Sequence, residues 1–132
     1  MADPNLRAVE TPHGVIYSRN ALVVERHELS LTPMTFVLSA CLSLANCRPA
    51  RKGEPDVQVV FTFTDIRHLA IHRLDDYPGE RFSRSSFDEY VDEAGQSIGR
   101  FVLSTYDHVF DIAGRCEMTT RSDATIQRPS GP

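Results

Sequence analysis

The sequence lacks a long apolar run, a leader pattern and an excess of basic charge. Its longest apolar stretch, MTFVLSACLSLA, is interrupted by serines and is shorter than the roughly 20 residues that cross a bilayer. No basic and then apolar segment opens the chain, so we expect no secretory signal and a cytoplasmic location. The net charge of −4 argues against nucleic-acid binding, because such proteins present a basic face.

Catalytic and redox motifs are missing as well. Cys41, Cys47 and Cys116 are odd in number and form no CxxC pair, which favours buried free thiols in a reducing compartment. There is no GxSxG elbow, no glycine-rich phosphate loop and no calcium loop of the DxDxDG type. These absences predict a protein that is not an enzyme and holds no cofactor.

The feature that is present throughout is a period of two. The 132 residues have the length and composition of a single domain, with residues 1–12 and 121–132 expected to be flexible tails. Alternating apolar residues predict strands over most of the remainder. We therefore expect a mostly β protein, an antiparallel sandwich or strongly curved sheet of about six to seven strands with little helix.

Two stretches define the expected core. Apolar positions alternate from Phe36 to Leu44, which favours a hairpin of residues 22–31 and 34–45, although Thr32-Pro33 leaves open a helix that begins there. The run VQVVFTFT is a further strand with valines and phenylalanines on one face. The predicted core comprises Phe61, Phe63, Leu69, Ile71, Val102 and Ile112.

His68 and His72 raise the question of a metal site, because histidines four apart chelate zinc when they lie on a helix. Here they continue a strand pattern, and residues four apart on a strand are separated by about 13 Å. No HExxH glutamate and no third Cys or His at ligand spacing accompanies them. We expect two surface histidines and no metal site.

Acidic charge is concentrated in one segment. Seven acidic residues and two arginines lie between Asp75 and Glu93, interleaved with aromatic residues. Aromatic anchors among charges are typical of protein interfaces, whereas a solvated turn or hairpin is the competing interpretation. The candidate partner-binding residues are Asp75, Asp76, Tyr77, Glu80, Phe87, Asp88, Glu89, Tyr90, Asp92 and Glu93.

A resemblance to a known class follows from the order of these stretches. A hairpin, a loop, VQVVFTFTDIRHLAI, a variable segment and FVLSTYDHVFDIAGRCEM together resemble small bacterial immunity proteins of polymorphic toxin systems, over about residues 21–120. The corresponding positions are Phe61, Phe63, Ile66, Leu69, Tyr106, Asp107, Cys116 and Glu117. The resemblance implies a protein that neutralises a toxin by direct contact.

These observations lead us to expect a non-enzymatic binding protein with a basic protein partner, a toxin domain. We expect no nucleic-acid or membrane partner, and a homo-oligomer is compatible with the sequence. Two alternatives remain open. One is a small enzyme or ligand-binding β protein that uses the acidic segment or the histidines, and a cavity lined by convergent polar groups would favour it. The other is a structural or assembly subunit that oligomerises through sheet edges.

Overall fold

The computed structural model describes residues 5–16, 20–73, 87–105 and 107–121. In these residues nine strands and one short 3₁₀ turn are formed and there is no α-helix, so the mostly β class predicted from the sequence is confirmed. No helix in the described ranges is long and apolar enough to cross a membrane. The elements are β1 Asn5–Ala8, β2 Glu10–Thr11, β3 Gly14–Val15, β4 Leu22–Leu31, β5 Met34–Leu42, the turn Leu44–Asn46, β6 Val57–Arg73, β7 Phe87–Val91, β8 Ser97–Ser104 and β9 His108–Thr120.

Seven of these strands form one antiparallel sheet in the order β1-β7-β8-β9-β6-β5-β4. Strand β4 pairs with β5 from Leu22 opposite Leu42 to Leu31 opposite Met34, so the hairpin prediction is confirmed and the helical alternative is wrong. The alternation that predicted the hairpin is also the alternation of burial along β5, where every second side chain is buried.

The sheet is strongly curved, as contacts between distant strands show. In a flat sheet β6 and β7 would lie about 14 Å apart, three strand spacings, because β9 and β8 separate them. The rings of Phe61 on β6 and Phe87 on β7 nevertheless approach to 4.9 Å between centroids. A pocket of about 280 Å³ is lined by both the start of β4 and the β8–β9 turn. The sheet therefore encloses its own core on a concave face.

The hairpin of β2 and β3 lies across one end of this concave face. Its flanking residue Val9 donates its backbone N–H to the Phe87 carbonyl on β7 at 3.0 Å, while Val15 pairs with Arg48 in the loop after the 3₁₀ turn. At the tip, His13 Nε2 lies 2.9 Å from the Thr120 hydroxyl of β9. Residues 1–12 were expected to be a flexible tail, whereas Asn5–Ala8 is a paired strand and Val9 is buried in the core.

The long strand β6 is interrupted by a bulge. Thr64 pairs with Arg115 and His68 with Ala113, so three residues of β6 stand opposite the single residue Gly114 of β9. Asp65 adopts a φ of 50° within this bulge. A bulge bends its strand and increases the local twist, which turns the second half of β6 away from β5.

Three of the six predicted core residues, Phe61, Phe63 and Ile112, are buried on the concave face, and Leu69 packs against them while partly exposed. Val102 is buried but lies outside this core. It faces the convex side in a second buried group with Asp88, Ser104, Val109 and Asp111.

The prediction for Ile71 is wrong, because its side chain is 50% exposed. Ile71 does face the concave side, as the partner of the buried Phe110. However, β5 pairs with β6 only up to Phe63. Beyond that point β6 has no β5 neighbour to cover Ile71.

Candidate functional site

The end of the concave face opposite the β2–β3 hairpin carries four exposed apolar side chains. Leu29 is 44% exposed, Leu31 69%, Met34 39% and Ile71 50%. We call these four residues the apolar rim. Leu31 pairs with Met34 across the β4–β5 hairpin, and cross-strand partners point to the same face, which here is the face of the buried Phe36.

Two buried phenylalanines connect the members of the rim. Leu29 is the cross-strand partner of Phe36, and Ile71 is the partner of Phe110. The rings of Phe36 and Phe110 lie 5.6 Å apart, and the His27 ring lies 5.9 Å from Phe110. Leu29, Leu31 and Met34 are thus neighbours on one hairpin, and the buried Phe36–Phe110 pair beneath them connects this group to Ile71.

The local cause of this exposure is the way in which β5 and β6 separate. The β4–β5 hairpin extends two residues beyond the last β5–β6 pair, Phe36 opposite Phe63, while β6 bends away at its bulge. Beyond this pair, side chains that continue the inward-facing alternation of β5 and β6 are exposed, because the two strands are no longer paired there. The same alternation that buries Phe36 and Phe63 thus exposes Met34 and Ile71.

A pocket of about 500 Å³ lies on the same face beside the β2–β3 hairpin. Its apolar surface comes from core residues, among them Phe61, Phe101 and Met118. Polar groups include Glu10 and Glu89. Glu89 faces inward as the partner of Phe101 and accepts a hydrogen bond from the Arg7 guanidinium at 3.0 Å.

Cys116 borders this pocket, and its thiol is kept protonated. Burial, together with the nearby carboxylates of Glu89 and Glu117, which oppose a negative thiolate, raises its pKa to about 12. Since only the thiolate is a good nucleophile, Cys116 does not provide a reactive sulfur near neutral pH. Cys41 and Cys47 are also free thiols whose pKa values are raised, mainly by burial.

The described half of the acidic segment is largely part of the fold. Phe87 and Asp88, expected to be exposed at an interface, are buried, and the Phe87 ring packs against those of Phe61, Phe63 and Phe101. Phe87 faces the core and Asp88 the convex side. The premise that these two side chains are available to a partner is therefore wrong.

The remaining described candidates have structural contacts of their own. Tyr90 lies beneath the Arg100 guanidinium, 4.9 Å from ring centroid to Cζ, and is half-buried. Asp92 Oδ1 accepts hydrogen bonds from the backbone N–H groups of Ala94 and Gln96 and so holds the β7–β8 turn. Glu93 is exposed at that turn.

Four candidates, Asp75, Asp76, Tyr77 and Glu80, lie outside the described residues. The partner-binding role of the segment stays a prediction. On the described residues it falls mainly to Asp92 and Glu93, the two exposed carboxylates.

His68 and His72 lie on strand β6, as the alternation predicted, and point to the convex face opposite Ala113 and Val109. His68 is exposed and His72 half-buried. In the ranges that the structure describes, no group of three or more His, Cys, Asp or Glu side chains is arranged to hold a metal ion.

Sequence reasoning missed both parts of the concave site. The rim residues were visible as apolar positions of correct period, but period alone cannot separate a buried position from one at an opening. The pocket residues come from β2, β6, β7, β8 and β9 and meet only when the sheet curves. Comparison of the chain with described protein families, with curated proteins and with solved structures gave no match.

Proposed function

We propose that this chain is a non-catalytic binding protein that docks a protein partner on its apolar rim. The observation that carries the proposal is the continuity of the rim: Leu29, Leu31, Met34 and Ile71 are each at least 39% exposed around the floor of Phe36 and Phe110. Single exposed apolar residues are ordinary, whereas a contiguous patch is typical of an interaction surface.

The structure of the rim suits recognition by contact. Its floor is held by packed aromatic rings and its walls by strands, so little ordering is required when a partner binds. Removing apolar side chains from water is the main favourable contribution to most protein–protein association. No catalytic group is needed for this role.

In its narrower form the proposal is that the partner is a toxin domain and that binding neutralises it. This rests on the resemblance to small bacterial immunity proteins stated above. A basic partner would add attraction to the acidic segment, and this attraction would speed association more than it would slow dissociation.

A photo-crosslinking amino acid placed at Leu29 tests the docking surface in cells that naturally express the chain. Ile98 is the matched control, since both side chains are 44% exposed. Ile98 lies on β8 five residues from Leu103, the partner of Phe110, which is roughly 17 Å along a strand. We expect a discrete adduct from position 29 and none from position 98.

Equal adduct patterns from both positions, or no adduct from position 29, would contradict the proposal. For the narrower form, a toxin domain encoded beside the chain should lose activity when the purified chain is added. Replacing Leu29 and Leu31 by Ser should relieve that inhibition while the fold is retained, because both side chains are exposed.

A second candidate function is the binding of a small molecule in the pocket beside the β2–β3 hairpin. The observation in its favour is the combination of a volume of about 500 Å³, a floor of Phe61 and Phe101, and the inward carboxylate of Glu89. Replacement of Met118 by Trp would narrow the pocket and obstruct ligand binding at its lining. A ligand that raises the melting temperature of the wild-type protein should fail to do so in this variant, and equal stabilisation of both would exclude the pocket.

A further inference from the structure

We propose that two copies of this chain associate edge to edge through β4, in an antiparallel register that places Arg26 of each copy opposite Glu28 of the other. The inference goes beyond the docking function, because Arg26 and Glu28 point to the convex face and the rim lies on the concave face. It assigns a self-association site to the free edge of the sheet.

The first observation is the length of this edge. Strand β4 has ten residues and ends the sheet on one side, whereas β1 on the other side has only four. An edge strand presents backbone N–H and carbonyl groups that a further strand can bind. Proteins usually protect long edge strands against pairing with another chain. The position of such protecting features on β4 therefore shows which part of the strand can still pair.

Protection is confined to the first part of β4. A bulge shifts the register between Val24 and Arg26, and bulges discourage the addition of a strand. From Arg26 to Leu31 the pairing with β5 is regular, one residue for one residue. The centre of the pairing with another strand is therefore expected within the regular part, as it is for Arg26, His27 and Glu28.

The charges on this segment select one register of self-pairing. When two copies form one continuous sheet, paired residues point to the same face. In an antiparallel pairing of two β4 strands, one residue then lies directly opposite its own copy, and the two-fold axis passes between the two. An axis at Glu28 would bring the two Glu28 carboxylates together, and an axis at Leu29 would place Glu28 opposite Ser30 and form no pair of opposite charges. An axis at His27 instead forms two Arg26–Glu28 pairs, related by symmetry.

Both charged side chains are available for this pairing. Arg26 and Glu28 are exposed, and neither takes part in an ion pair with another described residue. A basic residue followed two positions later by an acidic one, as in Arg26 and Glu28, pairs with the same segment of a second copy only when that copy runs antiparallel. This self-complementarity is the reason to assign the edge to a second copy of the chain rather than to a foreign strand.

Charge reversal tests the register directly. Arg26→Glu leaves acidic residues at both positions, and Glu28→Arg leaves arginines at both, so each variant repels itself. We expect wild-type chain to form a concentration-dependent dimer in sedimentation equilibrium at low salt. Each variant alone should dimerise about tenfold more weakly or worse, since opposite-charge pairs become like-charge pairs on neighbouring strands. An equimolar mixture of the two variants should form a heterodimer.

The mixture also shows that both variants are folded and competent. Glu54→Arg, in the exposed loop before β6, is the matched control and should dimerise as the wild type does. A monomeric wild-type chain at the highest concentration studied would overturn the proposal, as would a mixture that stays monomeric. Dimers that persist unchanged in both single variants would place the interface elsewhere and overturn it too. In this register Leu29 lies opposite Glu25 of the second copy, so the mass of the adduct at Leu29 must separate a second copy of the chain from a different protein. An adduct with a different protein supports the docking proposal whether or not the chain dimerises, so the two proposals can fail separately.

Discussion

Gly114 shows how closely single residues are constrained in this fold. It stands opposite the β6 bulge, where a Cβ atom would lie 2.8 Å from the Thr64 carbonyl oxygen and 3.1 Å from the Ile66 Cα. Both obstacles are backbone atoms of a bulge that has no room to withdraw. The requirement for glycine is steric here and comes from the close approach of two strands.

Gly114→Ala should therefore destabilise the protein. We expect a loss of about 1–3 kcal/mol in the free energy of unfolding, the usual cost of forcing an extra carbon into a packed site. Urea denaturation measures it. Ala113→Gly is the neighbouring control and should cost less, about 0.5–1 kcal/mol from backbone entropy. Equal stability of Gly114→Ala and the wild type would mean that the bulge is not packed against β9 as described.

Cys116 leads to a prediction about pH. Its pKa is raised from 9.0 to about 12 in the folded protein, so folding favours the protonated thiol. The stabilisation is fully present below pH 9 and is lost as the pH rises toward 12. The unfolding free energy of the wild type should fall more steeply between pH 9 and pH 11 than that of Cys116→Ala. Parallel pH profiles would contradict the shift.

At the scale of elements, β7 has a different role from the one its composition suggests. The run FDEYVDE has the composition of a solvated segment, yet its first two residues are buried, Phe87 against the rings of Phe61 and Phe63 and Asp88 on the convex side beside Val102. On the convex side of β8 and β9, Arg100 holds Asp111 with two hydrogen bonds of 3.2 and 2.9 Å. Carboxylates in this region are part of the packing, which makes their mutation a test of folding before it is a test of binding.

Asp88 and Glu93 should respond differently to the same substitution. Asp88→Lys places a cation at a side chain that is 1% exposed, and we expect a loss of at least about 3 kcal/mol in stability. Glu93→Lys changes an exposed turn residue and should stay within about 0.5 kcal/mol of the wild type. Thermal unfolding of the two variants compares them. A stable Asp88→Lys protein would show that the Asp88 side chain is not buried.

His68 and His72 lie four residues apart on the strand β6, which is about 13 Å and too far for one metal ion to bind both. Replacing both by Ala should leave the metal content of the purified protein and its melting temperature unchanged. Elemental analysis and calorimetry check these two quantities. Stoichiometric zinc that disappears in the double variant would contradict the prediction.

At the scale of the whole molecule, curvature decides which apolar residues are core and which are surface. Phe61 and Ile71 lie on the same face of the same strand, but only Phe61 reaches across the curved sheet to Phe87. Ile71 lies beyond the last β5–β6 pair. The core and the apolar rim are thus continuous parts of one face.

Truncating these two residues should measure that difference. Phe61→Ala should cost about 3–5 kcal/mol, the usual range for a buried phenylalanine. Ile71→Ala should cost only about 1 kcal/mol, because half of its side chain is already in water. Guanidinium denaturation of the pair gives both values. Similar costs for the two variants would mean that the opening at the rim is closed in solution.

The sequence by itself determined the β4–β5 hairpin, the strand β6 and the concave-facing residues from Phe36 to Leu42 and from Val59 to Phe63, but not β1 and β2. Alternation is a local property of the chain, and side chains in a strand must point to opposite faces. Only the tertiary structure decided where that face is closed. Curvature brought Phe87 of β7 against Phe61 of β6 and buried it, and the bulge opposite Gly114 parted β6 from β5 and exposed Ile71. Those outcomes depend on which strands become neighbours, and no local period records a neighbour that is distant in sequence.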